Sequence, residues 1–433
     1  MKFISTLPAI LLAISSAAQT GAKAPKRFVI SDFGAIADAK TVNTKAIQAV
    51  IDKCAAAGGG VVVVPKGTFL SGAIFLKQGV NLNVEKDGVL KATTNIDDYP
   101  MIDTRWEGTE EPWTSAFVNA EGLTNLDISG EGTIDGSGDE WLRNNPFRRG
   151  APGAGNAANT DTPPPRTAPR RGRPRLIGIQ NSKHVRVANL NLHNQAVWCL
   201  FFLYSEDVLA ENLKITAEHN IPSSDGIDID SSKHVRINNV YIDVNDDCIS
   251  IKSGKDADGL RVNRPAEDIV IENSHFAYGH GGVAMGSETS GGIRNVEVRN
   301  CVADSGNWAP IRFKTQPSRG GVVENITYRD MTLHGTRQAF EFNLEWRMVP
   351  PIAPPAKVLP VVRNVKIINV SGDVTSVGVI HGLADSPIEN IHFENCRITA
   401  QKGFKLDHAR NVDLSGLKLD VKDGDPITKT DVQ

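Results

Sequence analysis

The residues best suited to chemistry in this chain are three aspartates, Asp225 and the adjacent pair Asp246 and Asp247, followed by His280, Arg312 and Lys314. Hydrolysis of a glycosidic bond needs an acid to protonate the leaving oxygen and a carboxylate to activate water or attack directly. Carboxylates held close together suit that work, because their repulsion raises one pKa and keeps a proton available near neutral pH. An isolated Asp-Asp pair is weak evidence, since such pairs also serve as turn residues and calcium ligands. The set gains meaning only if the fold brings all six residues together.

The chain carries an internal repeat that does so. A short phrase, Asn/Asp/His followed by alternating apolar residues, begins at His184, Asp207, His234, Asp268, Asn295, Asn325, Asn364, Asn390 and Asn411, at intervals of 21 to 39 residues. Alternation is strand periodicity. A constant strand phrase with a variable interval predicts an all-β solenoid, a parallel β-helix whose loops differ in length. Each coil buries its apolar face only by stacking on its neighbours, so one core runs along the chain. A sandwich of hairpins would need two-residue turns, and the sequence offers few.

A second strand row follows the first in several coils. Aligning its apolar residues (Ile227/Ile229, Ile249/Ile251, Val283/Met285, Ile311/Phe313) sends them inward. The neighbours then point outward, toward solvent, in two columns: Asp228, Ser250, Ala284, Arg312 and Asp230, Lys252, Gly286, Lys314. Asp225 and Asp247 share the position at the start of their strands, and Asp246 and His280 share the position before. Register alone therefore gathers Asp225, Asp246, Asp247, His280 and Arg312.

The remaining features set the context. Helical spacing at Ile47, Val50, Ile51 and Cys54 predicts a helix over Thr41–Ala57, capping the open end of the solenoid. Lys2, an apolar run from Phe3 to Ile14 and small residues Ser15–Ala18 predict an export signal over residues 1–18, too short to span a bilayer. The hydrolase domain is expected over 28–433, as a monomer. Residues 144–172, rich in Pro, Gly and Arg, read as a surface loop inserted into it. With 47 basic and 50 acidic residues, general nucleic-acid or membrane-surface binding is disfavoured. The five cysteines form no metal-binding spacing and read as buried small hydrophobes; no metal and no cofactor is expected.

The segments SSDGIDID (Ser223 to Asp230), NDDCISIKSG (Asn245 to Gly254), GHGGVAMGSE (Gly279 to Glu288) and IRFKT (Ile311 to Thr315) resemble glycoside hydrolase family 28, the polygalacturonases and their relatives. DFGA at Asp32 and GEGTIDGSG at Gly130 match the family's N-terminal signature. The resemblance implies a right-handed β-helix and hydrolysis of α-galacturonosyl bonds in pectic polymers or oligomers, with inversion. It implies Asp246 as general acid, Asp225 and Asp247 as the pair activating water, and His280 tuning the acid. Arg312 and Lys314 correspond to the basic pair holding a galacturonate carboxylate, for which a guanidinium fork is well suited. Ser223 stands where the family often has Asn, and Lys252 joins the outward column. FEFNLEW replaces a familiar tyrosine, leaving Trp346 as a candidate sugar-stacking residue. RPRLI (Arg173 to Ile177) and DADGLRVNRP (Asp256 to Pro265) are similar to the exo-acting branch. The other readings are a rhamnogalacturonan hydrolase on the same fold, a calcium-dependent pectate lyase, or a non-catalytic carbohydrate-binding β-helix.

Overall fold

The computed structural model describes residues 25–144, 172–346 and 356–433. The export signal expected at 1–18 and nearly all of the Pro/Gly/Arg-rich stretch, 145–171, lie outside the described residues. The rest is a right-handed parallel β-helix. The strands Ile177–Gln180, Leu200–Leu203, Ile227–Asp230 and Ile249–Lys252 stack in parallel without a slip in register. They continue onto Val283–Met285, Ile311–Phe313 and Phe340–Phe342. The inward residues expected from alternation are all at most 1% exposed, and one apolar cluster runs from Phe28 to Ala409. All five cysteines are buried and unbridged. No helix among the described residues is long and apolar enough to cross a membrane.

The repeat phrase has a backbone cause. All nine residues that open it, from His184 to Asn411, have φ between 53° and 57°, the left-handed region that Asn, Asp and His tolerate best. They mark the corner where each coil turns into its next strand. Several corners are also tied coil to coil, with Asn295, Asn325, Asn364, Asn390 and Asn411 hydrogen-bonded in series at 3.1–3.2 Å.

Two expectations need correction. The capping helix begins later, at Thr44, and runs to Ala56 with Ile47, Val50, Ile51 and Cys54 buried. Thr41 and Val42 instead end the strand Asp38–Val42, whose pairing with Gly67–Ser71 claims their backbone. The outward columns have the expected register, yet they do not face solvent. Asp228, Ser250, Asp230 and Lys252 are 0–4% exposed, because another element covers them.

That element is an antiparallel hairpin, Met101–Trp106 with Thr109–Thr114. Trp106 stacks between Trp113 and Trp198, with ring centroids 4.4 and 4.8 Å away. Arg105, wholly buried, pairs with Asp230 at 2.7 Å. Gly108 at the tip lies so close to Lys255 and Glu288 that a Cβ would fall 2.5 and 2.7 Å from their side chains. The short helix Asp256–Val262 clasps the outer strand, with Arg261 on Glu110 and the Glu110 amide on Asp258.

Candidate active site

Stacking puts the three aspartates in contact range. The Gly226 amide donates to the Asp247 carbonyl at 3.0 Å, and the His280 amide to the Asp246 carbonyl at 2.9 Å. One carboxylate oxygen from each of Asp225, Asp246 and Asp247 lies within 4.8 Å of the other two. Asp247 is fully buried; Lys314 Nζ bonds its Oδ2, and Arg312 Nη1 sits 3.3 Å from its Oδ1. Arg312 also pairs through Nε with Glu341 at 2.7 Å. His280 Nδ1 is 3.3 Å from Asp246 Oδ1. The glycines around His280 are steric necessities. A Cβ on Gly281 would sit 2.9 Å from Asp247 Oδ1, and one on Gly279 would sit 2.7 Å from the Asp246 carbonyl.

The electrostatics separate the three acids. Burial, reinforced by Asp228 and Asp246, pushes Asp225 well above the usual carboxylate range. Burial would raise Asp246 too, but contact with His280 and the charges of Lys314 and Lys252 outweigh it and hold Asp246 low. The resting site thus keeps its shared proton on the Asp225 side, whereas the family resemblance assigns the acid role to Asp246. Exposure also differs: the Asp246 side chain is 25% exposed, while Asp225 and Asp247 are dry.

His280 answers to the same pair. Its contact with Asp246 outweighs burial and raises its pKa above 6.5. A raised histidine value means the ion pair is complete below the ordinary value and is lost as pH rises through the raised one. The expected result is an NMR titration midpoint for the His280 ring above 6.5 in the wild type. In Asp246→Asn that midpoint falls; an unchanged midpoint would mean that Asp246 does not set it.

Beside the cluster lies a second buried group that sequence reading largely missed. Lys252 pairs with Glu288 at 3.2 Å and Asp228 at 3.5 Å, and lies 4.9 Å over the Trp198 ring. Burial would strip its proton, but Glu288 and Asp228 keep it charged. Glu288 is held down to about 2, its own burial outweighed by Lys252 and Arg319. Burial pushes Asp228 up to about 7 against the pull of Lys252 and Arg175. Arg175 is enclosed by Phe201, Trp198 and Trp106 at 4.0–5.3 Å. The sequence signals were the RPRLI motif, the outward positions of Lys252 and Asp228, and Glu288 at the end of GHGGVAMGSE.

The other expected residues are scattered around this centre. Ser223 lies half-buried in the turn before Asp225 with φ of 54°. The structure uses its neighbour instead: Ser224 Oγ accepts from the Asn245 amide at 3.1 Å, tying the two acidic coils together. Gln195 Nε2 donates to the Ser224 carbonyl at 3.0 Å from the preceding coil. Trp346 is partly exposed, with its ring 5.0 Å from Lys314 Nζ.

Two groups among the described residues have the spacing of cation ligands: the three aspartates, and Asp407 with His408 and Asp431. In the first, Lys314 and Arg312 already place cationic groups on both oxygens of Asp247, where a metal would have to compete.

Paired buried acids on stacked coils, backed by a basic pair and walled by tryptophans, define a glycoside hydrolase on a β-helix. The chain belongs to the glycosyl hydrolases family 28, whose model matches residues 54–418. Over 378 residues it is 30% identical to a probable polygalacturonase of Vitis vinifera, covering 85% of this chain and 73% of that one. An exo-poly-alpha-D-galacturonosidase of Dickeya chrysanthemi is 26% identical, with 90% and 75% covered. The crystal structure of an exopolygalacturonase from Thermotoga maritima superposes with a TM-score of 0.77 at 28% identity, covering 92% and 93% of the two chains.

Proposed function

We propose that this enzyme hydrolyses α-galacturonosyl bonds of pectic chains from an end, with inversion, using Asp246 as acid and Asp225 with Asp247 as the water-activating pair. The observation that carries this reading is the Asp225–Asp246–Asp247 cluster set directly against Arg312 and Lys314. The acids supply the hydrolytic chemistry, and the neighbouring cations suit a sugar that bears a carboxylate. The similarity to exo-acting polygalacturonases supports the same reading.

The resting protonation is reconciled with these roles by substrate binding. A sugar covering the site strips water from Asp246, which has water to lose, and leaves the dry Asp225 and Asp247 as they were. Desolvation disfavours the charged form, so the shared proton moves from Asp225 to Asp246. Asp246 then gives it to the glycosidic oxygen as the bond breaks, and ionised Asp225, with Asp247, takes a proton from the attacking water. His280 steadies the Asp246 carboxylate left behind.

Exo action is supported by the hairpin Met101–Thr114, which covers the coils on the N-terminal side through Trp106 on Trp198 and Arg105 on Asp230. Export belongs to the same reading, since residues 1–18 have the make-up of a signal and pectic polymers lie outside cells. A single working domain over 28–433, acting as a monomer with residues 144–172 as an inserted loop, completes it.

The test is product length. Oligogalacturonides of defined length should yield galacturonic acid and the chain shortened by one from the first time points, with no cleavage of rhamnogalacturonan. A spread of internal products would refute exo action, and cleavage of rhamnogalacturonan alone would move the assignment to that substrate.

A further inference from the structure

The groove does not stop at Arg312 and Lys314. His280 is followed on the next coil by Trp308, between the paired positions Gly279/Asn307 and Gly281/Ala309. The next coil brings the Arg337 guanidinium 3.9 Å over the Trp308 ring. The outward column holding Arg312 runs on through Glu341 and Val379 to Lys405. Val379 and Lys405 line a hollow of about 660 Å³ with Gln338, the neighbour of Arg337, and Lys402. This hollow is therefore on the catalytic face, further toward the C-terminus, opposite the end closed by the hairpin.

Its chemistry is that of a polyanion site. Arg337, Lys402 and Lys405 are exposed, and no ion pair among the described residues engages them. Elsewhere on the surface several cations are tied to an acid on an adjacent coil, as Arg294 is to Glu267 and Arg363 to Glu324. Asp423, the strand partner of Lys402, and Asp425 also rim the hollow on the outermost coil, and neither forms an ion pair with Lys402 or Lys405. The Trp308 indole N–H is enclosed and has no acceptor among the described residues, and the ring itself is half-buried. Coils rise by about 4.8 Å, comparable to one sugar ring, so Arg337 lies roughly three rings beyond Asp246.

We propose that Trp308, Arg337, Lys402 and Lys405 form a track that binds the acidic chain beyond the scissile bond, so that polymers and long oligomers are preferred over short ones. Trp308 offers a ring to a sugar face, and the three cations meet successive carboxylates. The inference rests on the galacturonide reading above.

The experiment compares kcat/KM on polygalacturonate with that on digalacturonate for the wild type, Arg337→Ala, Trp308→Ala and the double variant Lys402→Ala/Lys405→Ala. Each variant should lose about tenfold more on polymer than on digalacturonate, mostly in KM, as expected for contacts outside the reacting centre. The difference contributed by the cations should shrink in high salt. An equal loss on both substrates, or none on the polymer, would overturn the track. Wild-type failure to cleave both digalacturonate and polymer would instead overturn the galacturonide reading, so the two failures are separate.

Discussion

Asp246→Asn should lower kcat on oligogalacturonides by about a thousandfold while leaving substrate binding nearly intact, the range expected when a general acid is removed. The amide fills the same space and can still accept the hydrogen bond from the Asp247 amide, now made at 2.9 Å. It holds no proton of acidic character for the leaving oxygen. Because Asp246 is the one member of the cluster that meets solvent, the change leaves the buried ion pairs of Asp247 in place. Rates are read by reducing-end release, and binding by calorimetry with an oligogalacturonide. Full activity in this variant would remove Asp246 from the acid role and leave Asp225, whose carboxyl burial pushes up, as the candidate.

Lys314→Met carries the second large effect, on both stability and rate. Lys314 is 6% exposed and its partner Asp247 is fully buried, so the substitution leaves a dry carboxylate with only Arg312 for compensation. Breaking a buried pair from one side costs about 3 kcal/mol at the lower end of the observed range, and the remaining Arg312 contact places this case there. Thermal unfolding should show the loss. Removal of a cation beside the substrate carboxylate should cut kcat/KM by about a hundredfold in addition. A variant as stable and as active as the wild type would show that Lys314 neither holds Asp247 nor reads the substrate.

The aspartate cluster was legible because its cause is local and repetitive. Alternating residues define inward and outward faces, and corner residues such as His234, Asp268 and Asn295 must tolerate a left-handed backbone, so coil register can be read from residue types. Register then carries Asp225 onto Asp247 and Asp246 onto His280 without further information. The hairpin was not legible for the opposite reason. Trp106 and Arg105 gain meaning only from Trp198 and Asp230, more than ninety residues later, and no periodicity links them. The burial of Lys252 follows from that cover, and so does the importance of Glu288 as its partner. The resting position of the proton is likewise a property of burial and of three mutually close charges. Residue types alone leave Asp225 and Asp246 equivalent in that respect.

Stereochemistry gives the most direct test of the central claim. Inverting enzymes usually hold their two carboxyls about 6.5–9.5 Å apart and retaining enzymes about 5–5.5 Å apart, whereas here three carboxylates have oxygens within 4.8 Å. Spacing alone would therefore favour a covalent intermediate. Charge compensation argues for water as nucleophile: Asp247 has both oxygens engaged by Lys314 and Arg312, which leaves it poorly placed to attack. Proton NMR of the reaction with an oligogalacturonide, recorded before mutarotation, reads the outcome. The account predicts that the new reducing end appears first as the β-anomer; first appearance of the α-anomer, or no release at all, would contradict it.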